Sequence, residues 1–183
     1  MHRAVVVTLL LPHVAHAEFD VGADLSAGIV KTNNDGMLAA LAALEAAWQP
    51  NDDSFVRWRL HAGFGQTTFI DSSPPRDALD LRAGIEFRSP RCRPICAYFD
   101  GDLGYFEASA RDDQYVTSFT GALALLRVGS DAGFEHVRFR IGLEFPVGIV
   151  RERHFVLGEV GTTSSGNELA YGLFLTTGIH GTW

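Results

Sequence analysis

Charged side chains recur at every second position along several segments of this chain. This spacing could bring acids and bases together in a site that performs chemistry. Asp100 and Asp102, for example, are paired carboxylates of the kind that act as acid and base in glycoside hydrolysis. Residues two apart lie on the same face of a β-strand, and charges crowded on one face must pair or remain hydrated. We therefore predict an ion-pair network. Its members are Asp20, Asp24, Glu45, Arg57, Arg59, His61, Asp80, Arg82, Glu86, Arg88, Asp100, Asp102, Arg138, Arg140, Glu144 and His180.

Cys92 and Cys96 are the only cysteines. A local disulfide that staples the proline-containing segment 89–95 is the preferred interpretation, with a stabilisation of roughly 2 kcal/mol for so short a loop. A metal site would need more ligands than two cysteines without a nearby histidine, and free thiols are the remaining alternative. Glycine-rich nucleotide loops, the zinc-protease helix motif and the nucleophile elbow are absent, so we predict no cofactor, no metal and no catalytic residue.

The composition bounds the class of protein. The 183 residues suit one domain, and the net charge of −7 argues against nucleic acid as a partner. Residues 1–17 are predicted to be a cleaved signal peptide, because Arg3 precedes an apolar run over 4–11 and Ala15-His16-Ala17 fits a cleavage site. A buried first strand is the alternative. The remaining domain, 18–183, would then be exported to an oxidising compartment.

The elements that must position the charges are β-strands, because apolar and polar residues alternate along the chain. Seven segments show the alternation: 19–29, 57–64, 79–88, 98–106, 114–128, 137–149 and 168–183. In segment 114–128 we place Tyr115, Phe119, Leu123 and Leu125 on the apolar face.

An eighth segment, 36–49, fits either a helix or a strand. Its alanines favour a helix, with Met37, Leu41, Leu44 and Trp48 on one stripe. We prefer a strand, with Leu38, Ala40, Ala42, Leu44 and Trp48 on one face, because short polar turns flank the segment and an even number of strands closes an antiparallel barrel.

Two barrels fit this alternation. A soluble lipocalin-like barrel has its apolar face inside, whereas a membrane barrel has it outside and places polar residues in the lumen. The export signal, the glycines on the polar face and the aromatic residue Trp183 favour the membrane barrel, since a narrow eight-stranded lumen needs small residues beside large ones. With these features the chain resembles the small eight-stranded outer-membrane barrels of the OmpA membrane-domain and OmpX type.

The resemblance implies an all-β, antiparallel up-and-down transmembrane barrel in the outer membrane, monomeric and surrounded by outer-membrane lipid. It implies periplasmic turns near 50–53, 89–95 and 129–135 and external loops near 32–35, 70–76, 107–113 and 151–167. It also implies that the barrel-assembly machinery recognises the last strand, here through Tyr171, Leu173, Leu175, Ile179 and Trp183.

For function, the sequence predicts a structural or interaction role in the cell envelope, with a lumen filled by the charged network and too tightly packed to admit a polysaccharide to Asp100 and Asp102. The alternatives are a narrow pore, a soluble periplasmic ligand-binding barrel and a lipid A-modifying barrel enzyme. The enzyme resemblance is weak, because a lipid-facing His-x-Ser pair is missing and the nearest match, His180-Gly181-Thr182, has both polar residues on the lumen face.

Overall fold

The structure, a computed structural model, describes residues 18–33, 36–51, 54–70, 75–89, 94–111, 115–134, 136–156 and 162–183. The predicted signal peptide, 1–17, lies outside these residues. Eight strands form one closed barrel in which each strand pairs antiparallel with the next and β1 pairs with β8. The strands are β1 Glu18–Lys31, β2 Gly36–Gln49, β3 Val56–Phe69, β4 Arg76–Arg88, β5 Ile95–Arg111, β6 Tyr115–Phe134, β7 Val137–Val156 and β8 Thr162–Thr182.

The strand prediction for 36–49 is confirmed. β2 pairs with β1 along its whole length, and Leu38 and Leu44 point outward while Met37 and Leu41 are buried inside. Alanine carries no side chain that resists either conformation, so pairing with both neighbouring strands decides the outcome over intrinsic helix propensity.

Several predicted connections are too long. β7 continues to Val156 and β8 begins at Thr162, so most of the predicted loop 151–167 is a paired hairpin. The predicted connections 129–135 and 107–113 are also too long, because β6 continues to Phe134 before β7 begins at Val137, and β5 continues to Arg111. The strands continue past the alternating pattern because ladder hydrogen bonds join backbone groups whatever the side chains are.

The large apolar side chains of the described strands point outward. On β7 the outward residues from Val137 to Ile149 are all apolar and between 41% and 58% exposed. The twelve steps from Val137 to Ile149, at about 3.4 Å each and tilted by roughly 40°, extend about 30 Å along the barrel axis, which is the thickness of a bilayer core. Among the described residues there is no helix long and apolar enough to cross a bilayer.

Aromatic residues gather at the barrel end that carries the 50–55 and 135–136 turns. Trp48 lies opposite Trp58 across the β2–β3 ladder, and Phe19 pairs with Trp48 and exchanges backbone hydrogen bonds with Trp183. All four side chains are exposed on the outer surface. Such an aromatic girdle is typical of the membrane–water boundary of a transmembrane barrel.

Candidate functional site

The structure places all sixteen charged residues of the predicted network inside the barrel. Fifteen of them are at most 9% exposed, and Arg138 is half-buried with 12% of its side chain exposed. The alternation of the strands accounts for this placement, since each charge occupies the face opposite an outward apolar residue. A lipocalin-like barrel requires the reverse arrangement, so the two faces exclude that alternative.

Two further charged residues join the network inside: Arg127 and Asp131. We call the eighteen residues together the charged layer. They are Asp20, Asp24, Glu45, Asp80, Glu86, Asp100, Asp102, Asp131 and Glu144, then Arg57, Arg59, Arg82, Arg88, Arg127, Arg138 and Arg140, with His61 and His180. Nine carboxylates thus face seven guanidinium groups and two imidazoles.

Arg127 is the centre of the charged layer. Its side chain is fully buried and reaches from β6 to four carboxylates, which belong to four other strands. The nitrogen–oxygen distances are 2.8 Å to Asp100, 2.9 Å to Glu45, 3.2 Å to Asp24 and 3.5 Å to Glu144. One guanidinium therefore ties β1, β2, β5 and β7 to β6 across the lumen.

Glu45 is the central carboxylate of the charged layer, as Arg127 is its central cation. Arg127 and Arg140 donate to it at 2.9 Å and 2.8 Å, and Arg59 forms a third ion pair with it. Arg140 also contacts Glu86 at 2.8 Å, and its guanidinium lies 4.4 Å from the centre of the Tyr98 ring. Because each cation serves several acids, a buried carboxylate here is compensated from more than one strand.

The layer continues toward the barrel end that carries the 50–55 turn. Arg57 donates to Asp20 at 3.0 Å, and His180 lies 2.8 Å from Asp24 and 3.5 Å from Asp20. Two further arginines of this region, Arg88 and Arg138, both bind Asp131, at 3.2 Å and 2.6 Å.

The same two arginines reach Cys96. A nitrogen of Arg138 lies 2.8 Å from the Cys96 sulfur, and Arg88 lies 3.7 Å from it. Cys96 is in a disulfide, but Cys92 lies outside the described residues, so the pairing of the two stays a prediction.

His61 is weakly compensated. Neither ring nitrogen has a hydrogen-bond partner, and the nearest carboxylate oxygens are 3.7 Å away on Asp80 and 3.9 Å away on Glu45. Ligand atoms of Asp24, Glu45 and His61 lie within 4.8 Å of one another. Arg127 already donates to both of these carboxylates, so a metal ion would have to displace a guanidinium to bind there.

The other half of the lumen is apolar. Met37, Leu41, Phe106, Phe119, Val150 and Phe174 are buried against one another with four alanines, and we call this cluster the apolar layer. A cavity of about 30 Å³ remains among these side chains, which is room for one or two water molecules. The lumen is therefore filled by two kinds of packing, of which the sequence predicted only the charged one.

One predicted face assignment is wrong, and it explains why the sequence did not predict the apolar layer. Phe119 and Leu125, predicted on the apolar outward face of the sixth segment, are 3% and 2% exposed and point into the lumen. Leu126 is 52% exposed and faces outward. The apolar layer accounts for the error, because here apolar residues belong inside. Arg127 and Asp131 lie on one face of β6, and their charges could have shown from the sequence that this face points into the lumen.

Glycines on the inner face make room for the large side chains, as the sequence predicted. A Cβ atom at Gly129 or at Gly142 would lie 2.5 Å from the Tyr98 hydroxyl oxygen, which is far inside contact distance. The two glycines flank Tyr98 from β6 and β7, and they let its ring lie under Arg140.

Comparison with known structures decides the kind of barrel. Neisserial surface protein A has a TM-score of 0.67 at 13% identity, over 89% of this chain and 96% of that one. The outer membrane protein AlkL, determined in lipid bilayers, has a TM-score of 0.64 at 10% identity, covering 92% and 90%. The chain has the fold of the small outer-membrane β-barrels. Ail, the attachment invasion locus protein of Yersinia pestis, is also similar, with a TM-score of 0.53 at 12% identity and coverage of 92% and 99%.

No family model and no curated sequence matches the chain. The fold, the outer apolar belt and the charged interior are those of a barrel that spans an outer membrane. Tyr171, Leu173, Leu175, Ile179 and Trp183, the residues predicted to be recognised during assembly, all point outward and are between 46% and 76% exposed.

The residues considered for enzymatic chemistry lie away from the lipid. His180 and Thr182 are both buried in the lumen. Of the other histidines with described side chains, His61 is also inside and His136 lies in the 135–136 turn, 3.4 Å from the carbonyl oxygen of Thr182. Asp100 and Asp102 are enclosed by Arg59 and Arg127.

Proposed function

We propose that this protein is a structural or interaction component of the outer membrane with a closed lumen. The observation that carries the proposal is Arg127, which is fully buried and bound to carboxylates of four other strands. An aqueous path would have to break these contacts and also pass the apolar layer, where the side chains of Met37, Leu41, Phe106, Phe119, Val150 and Phe174 are buried against one another.

The interaction part of the proposal rests on the lengths of the strands. β1 to β4 have 13 or 14 residues, whereas β6 to β8 have 20 or 21. An apolar belt of about 30 Å uses roughly 12 residues of a tilted strand, so the hairpins of β6 to β8 extend beyond the bilayer. An exposed paired hairpin is a rigid surface for contacts outside the cell, and one similar barrel is named for attachment.

Conductance measurement tests the closed lumen. Purified protein, refolded and shown to migrate in a heat-modifiable way, is inserted into planar bilayers. We expect no sustained conductance, and a steady open level in the wild-type protein would favour the narrow pore instead. An Arg127→Ser, Phe174→Ser double variant is the positive control, because it opens both the charged layer and the apolar layer and should admit ions.

We also propose that the protein is a monomer without catalytic activity and that the outward face of β8 is recognised by the assembly machinery. An Ile179→Asp variant should then lower the folded fraction in cells more than it lowers refolding into detergent. Lipid A from cells that produce the protein should keep its acylation pattern, and loss of an acyl chain would favour the enzyme. The mass of the protein–detergent complex should correspond to one chain.

A further inference from the structure

The outward face of β7 changes character after Ile149. From Val137 to Ile149 every outward residue is apolar, but the next two outward residues are Arg151 and Arg153, and both are exposed. Val150 precedes Arg151, and Glu152 lies between the two arginines. Val150 and Glu152 both point inward, where Glu152 forms an ion pair with Arg76 at 3.4 Å. The intervening acid is thus directed away from the two guanidinium groups.

The neighbours of this pair on the adjacent strands are uncharged hydrogen-bonding residues. Arg151 lies opposite Thr120 on β6 and Asn167 on β8, and Arg153 lies opposite Ser118 on β6. Among the described residues, no carboxylate forms an ion pair with either arginine. The nearest outward acid in the ladder is Glu107, opposite Thr120 on the far side of β6, and it accepts a hydrogen bond from Tyr105 at 2.9 Å.

The position of Arg151 and Arg153 along the barrel axis determines whether lipid tails or lipid headgroups surround them. The outward apolar run of β7 extends for about 30 Å, a full bilayer core, and the arginines follow it at once. A guanidinium facing hydrocarbon is costly, by about 2–4 kcal/mol at the midplane and by much less at the interface. Arg151 and Arg153 therefore lie at the level of the lipid headgroups.

We propose that Arg151 and Arg153 form a binding site for the phosphate monoester of a membrane lipid headgroup. The inference rests on the proposed membrane location and adds a site and a ligand class to it. Two residues apart on one strand face, their Cα atoms are about 7 Å apart, so two guanidinium forks can hold one phosphate between them. Guanidinium groups match phosphate oxygens in a bidentate way, and Thr120 and Asn167 supply further hydrogen-bonding groups.

A titration tests the site. Short-chain phosphatidic acid, which carries a phosphate monoester, is added to the refolded barrel in uncharged detergent and followed by calorimetry. We expect saturable binding to the wild-type protein and about thirtyfold weaker binding to the Arg151→Gln, Arg153→Gln double variant, since each basic residue contributes a factor of about five at an anionic headgroup. Lysine at both positions should give an intermediate affinity, because it offers point charges without the fork.

The matched control is Lys31→Gln, which removes an exposed cation on β1 and should leave the affinity unchanged. Phosphatidylglycerol, an anionic phosphodiester, should bind more weakly than phosphatidic acid. Equal binding of the two lipids, or undiminished binding by the double variant, would overturn the proposal. Competition by inorganic phosphate at equal concentration would do so too, because free phosphate would then be the ligand. Heat-modifiable migration of every variant shows separately whether the membrane barrel itself has formed.

Discussion

Arg127 offers the most direct measurement of what the charged layer contributes to stability. Replacing it with methionine keeps most of the side-chain volume and removes the charge. Four carboxylates, on Asp24, Glu45, Asp100 and Glu144, then lose a cation that lies between 2.8 Å and 3.5 Å from them. The layer changes from nine acids and seven arginines to nine acids and six arginines, so the excess of negative charge grows in a site without access to bulk water.

The expected cost follows from that uncompensated charge. Breaking a buried ion pair by removing one partner destabilises proteins by about 3–5 kcal/mol, and we expect Arg127→Met to lie in this range. Glu45→Gln should cost less than Arg127→Met, because it removes an acid from a layer that has an excess of acids. The double variant should be more stable than the sum of the two single effects predicts, by about 0.5–3 kcal/mol.

Unfolding by urea in lipid vesicles provides the assay. Trp48, Trp58 and Trp183 all lie on the outer surface at one barrel end, so their fluorescence reports the loss of lipid contact. Lys31→Gln is the control, since removing an exposed cation outside the charged layer should change the free energy of unfolding by less than about 0.5 kcal/mol. If Arg127→Met costs no more than this control, the network is not a stabilising element of the barrel and the reasoning is refuted.

The remaining predictions concern the two faces and the packing inside, and each is measured by the same unfolding assay. Leu143→Arg, in the middle of the outward belt of β7, should cost about 2–4 kcal/mol, and tolerance of it would show that lipid does not contact this face. Leu125→Ala should cost about 2–5 kcal/mol by opening an inner cavity. Leu126→Ala should cost clearly less because lipid fills the space, and equal costs would contradict the corrected phase of β6. Gly142→Leu should cost about 1–3 kcal/mol through overpacking and less in a Tyr98→Ala background, and an unchanged cost there would show that Tyr98 is not the obstacle.

The sequence predicted the barrel well because a membrane barrel repeats one constraint along its chain. Each strand needs apolar residues at alternate positions over the bilayer core, and β7 shows this without interruption from Val137 to Ile149. The strand ends were predicted poorly for the same reason. Beyond the bilayer the constraint ceases, and the pairing of residues 151–156 with β8 leaves no hydropathy signal.

The interior was predicted only where it is charged. Polar residues on alternate positions could be assigned to the lumen, and sixteen members of the charged layer were predicted correctly in this way. Phe119 and Leu125 have the hydropathy of lipid-facing residues, and nothing in their spacing distinguishes the two sides. Their assignment to the outer face concealed Arg127, although that residue contacts carboxylates of four other strands.

The two layers depend on each other where they meet. Phe174 of the apolar layer lies directly opposite Glu144 across the β7–β8 ladder, and Glu144 contacts both Arg82 and Arg127. Water that reached Glu144 from this side would solvate the carboxylate and weaken its attraction to both guanidinium groups. By excluding that water, Phe174 and its neighbours strengthen each ion pair of the layer, and they equally raise the cost of leaving any member unpaired. The cost of Arg127→Met should therefore lie near the upper end of its range, because the acids that lose their partner cannot recover hydration through the apolar half of the lumen.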